Sequence, residues 1–296
     1  MTNSNKQKMG SISASSALFL AVLCAGVVSR VACANFADLF DVTWGGSHSA
    51  FLNNGNKLDI SLDQVSGGLV ESKDRYVFMR ADMKIRLVRG DSAGTVVTFY
   101  MHSGGQFWDE IDFEFLGNVS GQPYLIHTNL YANGKGDREQ QFKFTFDPTA
   151  KSFTYTILWN PNLVLWYVDG TPIRVFKNMV SSGVGYPKQP MKVLASIWNG
   201  EEWATRGGAV KTNWTNAPFV VSFTGYKNNG CKVDSKGSTP CTPSSITTTR
   251  DWYTQKLDSS TRQKILSYKN ANIVYDYCKD TKRFNGVFPP ECAIPI

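Results

Sequence analysis

Apolar and acidic residues alternate along one short stretch of the chain, residues 108–117, which reads WDEIDFEFLG. Side chains of a β-strand point alternately to its two faces. A strand here would bury an isoleucine and two phenylalanines on one face and present Glu110, Asp112 and Glu114 on the other. No Lys or Arg separates the three carboxylates, and packing like charges together is unfavourable. The pattern indicates a core-anchored strand whose acidic row serves a chemical purpose.

Three carboxyl groups in a row can supply both roles of glycosidic bond cleavage. One carboxylate attacks or stabilises the anomeric carbon, and a second carboxyl, kept protonated by repulsion, protonates the leaving oxygen. We interpret Glu110 as the nucleophile, Glu114 as the general acid/base and Asp112 as the group that orients Glu110 between them. Cα atoms four residues apart in a strand are about 13 Å apart, whereas retaining glycosidases need carboxyl groups about 5–5.5 Å apart. The two glutamates must therefore lean together over Asp112.

Two other interpretations of the acidic row stay open. It could be the solvated acidic face of an edge strand, although clustered carboxylates without a basic partner favour functional sites. It could also bind Ca²⁺, although calcium ligands usually come from looped segments rich in Asn, Asp and Gly. The three histidines, His48, His102 and His127, are too scattered in the sequence to predict a metal triad.

The first 34 residues have the features of a secretory signal peptide. Lys6 and Lys8 form a basic start, an apolar segment follows over residues 17–28, and residues 32–34 (Ala-Cys-Ala) match a small-x-small cleavage site. Nothing later in the sequence resembles a membrane span. We therefore predict cleavage after Ala34 and an exported, soluble chain without a membrane partner.

Removal of this segment takes away three basic residues and no acidic one, so the formal net charge falls from +7 to +4. A mild positive charge fits retention in a polyanionic wall or matrix. The sequence has no concentrated stripe of Lys and Arg, so it does not indicate a nucleic-acid partner. We expect a secreted protein.

Four cysteines remain after cleavage, and all lie in the last quarter of the chain. An even number in an exported protein indicates disulfides. Of the three possible pairings we favour the local one, Cys231 with Cys241 and Cys278 with Cys292, because short loops close easily. Each bond would contribute about 3 kcal/mol in the chain-entropy account. A zinc site is the alternative, but the long and irregular spacing argues against it.

Short alternating segments separated by Gly, Asn, Asp and Pro run from residue 36 to 226 and predict an all-β antiparallel sandwich. Examples are residues 57–62, 95–100, 141–146, 154–159 and 163–168, the last ending at an Asp169-Gly170 turn. We predict a catalytic β domain over 35–228. Residues 229–296 then form a disulfide-stapled C-terminal extension, with a helix near 260–270 and a strand over 273–277.

Two sequence patterns point to surface features. Asn118 and Asn213 each begin an N-glycosylation triplet, and we favour Asn118 because it directly follows the acidic strand and a glycine. Sugar rings stack on exposed aromatic faces. Trp198 and Trp203 lie among polar residues and glycines, so they are candidates for a cleft, whereas Trp159 lies in an apolar segment and belongs in the core, as does Trp166.

Several motifs together resemble those of the plant xyloglucan endotransglucosylase/hydrolases, in glycoside hydrolase family 16. The resemblance covers nearly the whole mature chain. It rests on DEIDFEFLGN at 109–118, HTN at 127–129, GKGDREQ at 134–140, ATRGG at 204–208, and the C-terminal YC at 277–278, RF at 283–284 and PPEC at 289–292.

The resemblance implies a curved β-jelly-roll with a long open cleft and a retaining mechanism, without a cofactor or metal. It makes Glu110 the nucleophile and Glu114 the acid/base. It places Tyr100, His127 and Asn129 beside the scissile bond, Trp198, Trp203, Gly207 and Arg283 on the acceptor side, and a glycan on Asn118. It implies a polysaccharide donor, a xyloglucan acceptor and a monomer secreted to the cell wall, or apoplast.

The sequence departs from the family at three positions. Trp108 stands where the family usually has His, Trp44 where it commonly has Pro, and Gly68 where it commonly has Ser. The last two changes would reshape the donor side and resemble the hetero-trans-β-glucanase branch, whose donors include cellulose and mixed-linkage glucan. The alternatives to a transglycosylase are an endo-β-glucanase or xyloglucan hydrolase of the same fold, and a non-catalytic glucan-binding lectin. A lectin would not need both Glu110 and Glu114.

Overall fold

A computed structural model of the protein describes residues 1, 35–239, 241 and 251–296. The predicted signal peptide therefore lies, apart from Met1, outside the described residues. The described residues contain three α-helices: α1 (Phe36–Leu39), α2 (Asp251–Thr254) and α3 (Ser259–Asn272). None of the helices in the described segments is long and apolar enough to cross a membrane.

Most of the described chain forms β-strands. In chain order they are β1 (Phe40–Trp44), β2 (Ser49–Leu52), β3 (Lys57–Leu62), β4 (Gly68–Ser72), β5 (Tyr76–Arg86), β6 (Thr95–His102), β7 (Glu110–Leu116), β8 (Leu125–Tyr131), β9 (Gln140–Lys143), β10 (Phe153–Trp159), β11 (Leu163–Val168), β12 (Thr171–Lys177), β13 (Lys192–Asn199), β14 (Phe219–Lys232) and β15 (Ile273–Asp276). The first sheet has the order β1-β4-β13-β6-β7-β8-β9-β15, and the second has β12-β11-β10-β5-β14-β3-β2. The predicted all-β sandwich with a helix and a strand near the C-terminus is confirmed.

The predicted hairpin turn at the end of β11 also forms, and it joins β11 to β12, where Val168 pairs with Thr171. Its turn residues Asp169 and Gly170 have φ values of +46° and +80°, the left-handed region that a two-residue hairpin turn requires. The prediction for residues 141–146 is only partly correct, because β9 ends at Lys143. Phe144 and Phe146 leave the ladder and pack on the core, where Phe146 stacks on Phe153 with ring centroids 3.9 Å apart.

The core lies between the two sheets. The apolar face of β7 contributes Phe113 and Phe115, both fully buried, and Phe115 packs 4.6 Å from the ring of Tyr155 on the second sheet. Trp159 and Trp166 are fully buried as predicted. Burying one side of β7 in this way commits its other side, with the acidic row, to the outer surface of the first sheet.

The C-terminal residues extend the sandwich directly. Strand β15 pairs with β9 at the edge of the first sheet, and the predicted strand ends one residue early, because Asp276 caps a 3₁₀ turn over Tyr277–Lys279. Helix α3 contacts β12. Strand β14 runs through residue 228, so the predicted boundary between catalytic domain and extension falls inside a strand, and that division stays a prediction.

Two disulfides, Cys231–Cys241 and Cys278–Cys292, join the pairs that the sequence favours. A buried ion pair adds a further tie, with Arg138 Nε 2.6 Å from the Glu291 carboxylate. Both side chains are almost fully removed from solvent, so breaking the pair would leave an uncompensated charge. The C-terminal segment is therefore fastened beside the strands that carry the acidic row.

Candidate active site

Strand β7 lies in the middle of the first sheet, between β6 and β8, and its acidic row opens into one cavity. The register pairs Glu110 with His102 and Tyr131, Asp112 with Tyr100 and Asn129, and Glu114 with Thr98 and His127. The cavity, of about 310 Å³, is lined by all three carboxylates together with Trp44, Thr98, Tyr100, Ser196 and Trp198. The side chains of the acidic row therefore share one face, as the alternation predicts.

Glu114 is held in its protonated form by its surroundings. Burial, the charge of Glu110 and the charge of Glu139 raise its pKa to about 8. Nε2 of His127 lies 3.5 Å from a Glu114 oxygen. Burial, Arg174 and Arg283 lower the pKa of His127 to about 4, so this imidazole is neutral at pH 7. Glu114 can therefore act as a proton donor at neutral pH.

Glu110 has a different environment. Burial raises its pKa, but His102, the hydrogen bond from Trp108 and the hydrogen bond with Asp112 each oppose that rise. The Trp108 indole N–H donates to Glu110 Oε2 over 2.8 Å. Hydrogen bonds to the charged form of a carboxyl favour ionisation. Glu110 is therefore the member of the row best supplied with groups that stabilise a carboxylate.

Asp112 lies buried between the two glutamates. Burial raises its pKa well above the usual range, and the charges of Glu110 and Glu114 raise it further. Hydrogen bonding between Asp112 and Glu110 raises the pKa of the aspartic acid and lowers that of the glutamate. Asp112 thus lies where the predicted orienting role would place it, next to Glu110, and that role stays a prediction.

A buried arginine lies beneath the row. Arg174 on β12 of the second sheet donates to both the carbonyl and the hydroxyl oxygen of Thr128 on β8, over 2.7 Å each. Its guanidinium also lies 4.7 Å from the ring centre of Trp166, whose indole donates to the carbonyl of Asp112. Burial lowers the pKa of Arg174 to about 10, which leaves it cationic at neutral pH. This cation opposes the rise in the Asp112 pKa.

The predicted contact residues divide into those in the cavity and those beside it. Trp44, Tyr100 and Trp198 line it, whereas Trp203 packs against Trp198 and the ring of His127. Asn129 uses its Oδ1 to accept the backbone N–H groups of residues 130 and 138. Asn129 thus fixes the segment that follows β8.

Two further predicted residues lie at the periphery. Arg283 is engaged in ion pairs with Asp137 and Glu139, so its charge is already compensated within the protein. Gly207 lies in an exposed 3₁₀ turn with φ of +67°, a conformation that favours glycine. The structure thus places both residues in loops around the cavity rather than in its wall.

Gly68 is not brought into the cavity. A Cβ at this position would meet Ile60 Cγ2 at 2.7 Å and Ser49 Oγ at 2.9 Å, both on the second sheet. Its side-chain direction is therefore opposite to that of the acidic row. Any influence of residue 68 on a bound glucan must pass through the packing between the sheets, and its predicted role in substrate binding remains a prediction.

Asn118 follows the end of β7 and is partly exposed, with its amide nitrogen donating to the carbonyl of Pro123 over 3.1 Å. Its glycosylation stays a prediction. Within the described segments no group of three or more His, Cys, Asp and Glu side chains is arranged to hold a metal ion. The site combines carboxyl groups, aromatic rings, the hydroxyl groups of Thr98 and Ser196, and one neutral imidazole.

Three residues around the acidic row have roles that the sequence did not reveal. Arg174 and Trp108 are described above. Asp109, fully buried, accepts backbone N–H groups from Asn133, Lys188 and Gln189 and so ties two loops to the start of β7. The only sequence signal for this group was that Trp108 and Asp109 directly precede the alternating residues.

Comparison with known proteins supports a single family. The model for "Glycosyl hydrolases family 16" matches residues 36–216, and that for "Xyloglucan endo-transglycosylase (XET) C-terminus" matches residues 247–292. Solved structures share the fold. A Bacillus licheniformis beta-glucanase aligns with a TM-score of 0.52 and 24% identity over 64% of this chain and 91% of its own. A lichenase from a mouse hindgut metagenome aligns with a TM-score of 0.54 and 21% identity over 65% of this chain and 95% of its own.

Curated relatives are much closer in sequence. Probable xyloglucan endotransglucosylase/hydrolase protein 21 of Arabidopsis thaliana is 51% identical over 88% of this chain and 89% of its own length. Xyloglucan endotransglucosylase protein 8 of Diospyros kaki is 47% identical over 88% of this chain and 90% of its own length. With a catalytic-domain match over more than half of its length and relatives of this identity, the chain belongs to the xyloglucan endotransglucosylase/hydrolases of glycosyl hydrolase family 16.

Proposed function

We propose that this protein is a retaining endotransglycosylase that cleaves a β-1,4-glucan donor and transfers it to a xyloglucan acceptor. The observation that carries the proposal is the pair Glu110 and Glu114 on one face of β7, one supplied with stabilising hydrogen bonds and the other with a pKa of about 8. Two carboxyl groups with divergent environments mark the acid and the nucleophile of a glycosidase. The names of the relatives point to xyloglucan as a substrate.

In the first step, a Glu110 carboxylate oxygen attacks the anomeric carbon of the donor. The bond between that carbon and the glycosidic oxygen breaks, and the oxygen takes the proton of Glu114 as it leaves. The product is a glycosyl ester on Glu110 and a free chain end. Asp112 donates its hydrogen bond to Glu110 and thereby limits the repulsion within the row.

In the second step, Glu114 acts as the base. It removes a proton from the acceptor hydroxyl, whose oxygen attacks the anomeric carbon and displaces the Glu110 carboxylate. Water in place of the acceptor gives hydrolysis. Trp198 lines the cavity and Trp203 packs against it, so together they offer aromatic surface on which a glucan chain can stack. An acceptor held in this way reacts at high effective molarity.

The proposed donor preference rests on an exposed tryptophan in the wall of the cavity. Trp44 lines it and leaves 44% of its surface exposed. An unsubstituted glucan chain presents a flat apolar face to such an indole and has no xylose branches that fill side pockets. The donors in this proposal therefore include cellulose and mixed-linkage glucan beside xyloglucan, as in the hetero-trans-β-glucanase branch.

Trp44→Pro is expected to shift the donor preference toward xyloglucan, alone and together with Gly68→Ser. Gly68→Ser alone should change the preference less, because its side chain points toward Ile60 and not into the cavity. The measurement is the rate of transfer from cellulose, mixed-linkage glucan and xyloglucan to one labelled xyloglucan oligosaccharide. Identical donor ratios in wild type and the double variant would contradict the donor assignment.

The proposal includes the setting of the reaction. The protein is exported to the cell wall as a monomer, carries a glycan on Asn118 and needs no cofactor or metal. The mild positive charge of the mature chain favours association with acidic wall polymers. The export and the glycan in this proposal are supported by the sequence features of the first 34 residues and by the Asn118 triplet.

Product sizing tests the function itself. Wild-type protein with polymeric xyloglucan and a fluorescent xyloglucan oligosaccharide is expected to give labelled polymer. New reducing ends with no labelled polymer would instead show a hydrolase. Binding of glucan without either product would show a lectin. Either of those results would refute the proposed transglycosylase.

A further inference from the structure

A tryptophan outside the acidic row contacts the proposed nucleophile directly. The Trp108 indole donates its N–H to Glu110 Oε2 with an N–O distance of 2.8 Å. Trp108 directly precedes Asp109 and β7, and its side chain is only partly exposed. The proposed function uses this hydrogen bond only as a source of stabilisation for the carboxylate, and the two-step mechanism above does not say which oxygen of Glu110 it leaves free to react.

The indole ring is held between the two residues that flank Glu110 in the sheet. Its centre lies 5.6 Å from that of Tyr131 and 6.1 Å from that of His102. These are the cross-strand partners of Glu110 on β8 and β6. Aromatic neighbours on both sides restrict rotation of the indole, so its N–H has a fixed direction toward the carboxylate.

The backbone of Trp108 is fixed as well. Its carbonyl oxygen accepts the N–H of Gly134 over 2.7 Å. The next residue, Asp109, is buried and accepts the N–H groups of Asn133, Lys188 and Gln189 over 2.7–2.9 Å. Two loops are thus hydrogen-bonded to the residues that directly precede β7. A donor group on such a rigid support costs little to order when the substrate binds.

We propose that Trp108 is a positioning residue, whose N–H holds Oε2 of Glu110 and leaves Oε1 as the oxygen that attacks the anomeric carbon. This inference rests on the proposed function and adds the group that orients its nucleophile. No proton moves to or from the indole. The hydrogen bond is strongest to the carboxylate, so it also assists the second step, in which the ester bond to Glu110 breaks and the carboxylate is released.

Charged and titratable groups approach Glu110 from each neighbouring strand. They are Tyr100 and His102 on β6, Asp112 and Glu114 on β7, and Tyr131 on β8. A test of Trp108 therefore has to separate its effect from that of His102, which contacts the same ring.

The test variant is Trp108→Phe, which keeps an aromatic ring and removes the N–H. The substrate is a glucan oligosaccharide with a dinitrophenolate leaving group, which departs without help from Glu114. Loss of the hydrogen bond destabilises the ionised form of Glu110, so the acidic limb of the pH profile of kcat/KM is expected to move to higher pH. At pH values on that limb, kcat/KM should fall about 10- to 100-fold, the usual worth of a hydrogen bond to a charged group.

Three companion variants sharpen the result. Trp108→His keeps a ring N–H at the same place and is expected to recover part of the lost rate. Trp108→Phe is also made in a His102→Gln background, which lacks the imidazole. If Glu110 causes the acidic limb, the shift of that limb persists in this background. Trp214→Phe makes the same chemical change outside the site and should leave the profile unchanged. Thermal unfolding of each variant confirms that it is folded.

The outcomes separate this inference from the proposed function. If the folded Trp108→Phe variant has the wild-type profile, or loses the same factor at every pH, Trp108 does not position the nucleophile. The proposed function survives both results, because wild-type activity is measured in the same series. Wild-type protein without activity on any donor would instead refute the function.

Discussion

Glu110→Gln is expected to abolish both transfer and hydrolysis, with kcat falling on the order of 10⁴-fold or more. The amide has the shape of the carboxyl but cannot form the glycosyl ester, so the covalent route is closed. It also replaces one of the two carboxylate oxygens by an NH2 group, which cannot accept a hydrogen bond. The measurement is transfer of xyloglucan to a labelled oligosaccharide, together with a mass spectrum of the protein after reaction with an activated donor.

The matched control for this change is Asp38→Asn. Asp38 is an exposed carboxylate in α1, and the same conversion of acid to amide there should leave the rate at the wild-type value. The activated donor adds a mass to wild-type protein when the glycosyl-enzyme accumulates, and no added mass is expected for Glu110→Gln. A glycosylated Glu110→Gln protein would show that another residue is the nucleophile.

Glu114→Gln is expected to lower the rate with polysaccharide donors by about 10²–10⁴-fold, the usual contribution of a general acid or base. The first step should recover with a dinitrophenyl glycoside, whose leaving group needs no proton. The second step still lacks its base, so the glycosyl-enzyme should accumulate and be visible by mass spectrometry. Equal losses with both kinds of donor would argue that Glu114 is not the acid.

The protonation of Glu114 also determines how the rate with polysaccharide should fall at alkaline pH. Because burial and Glu110 raise the pKa of Glu114 to about 8, the protonated acid is present below pH 8 and is lost above it. The rate with polysaccharide should fall accordingly, and Glu114→Gln should lack this limb. A carboxyl with a raised pKa in the folded state also makes folding less favourable as the pH rises toward 8. Glu114→Gln should therefore melt at a higher temperature than wild type at pH 9.

The acidic row could be placed from the sequence because strand periodicity is a local property. Alternation over residues 108–117 was enough to put Glu110, Asp112 and Glu114 on one face and the phenylalanines on the other. Their separate pKa values were not accessible in the same way. They depend on burial, on the side-chain direction of Trp108, and on His102 and Arg174, which come from other strands.

The placements that the sequence did not reveal depend on long-range geometry. Gly68 has no side chain to show its direction, and only the register of β4 shows that a Cβ would point to the second sheet. Phe144 and Phe146 alternate like strand residues, yet packing on the core ends β9 before them. Arg174 lies in a strand of ordinary composition, and its position under the acidic row follows from the order of strands in two sheets.

The buried cation at Arg174 separates two properties that evolution can then alter independently. It opposes the rise in the Asp112 pKa from inside the sandwich, whereas the residues that line the cavity, such as Trp44 and Trp198, lie on the outer surface. Mutations in the surface loops and rim can change which polysaccharide is accepted and leave the proton chemistry intact. A lineage with this arrangement can acquire new donors by small surface changes while keeping an inherited catalytic core.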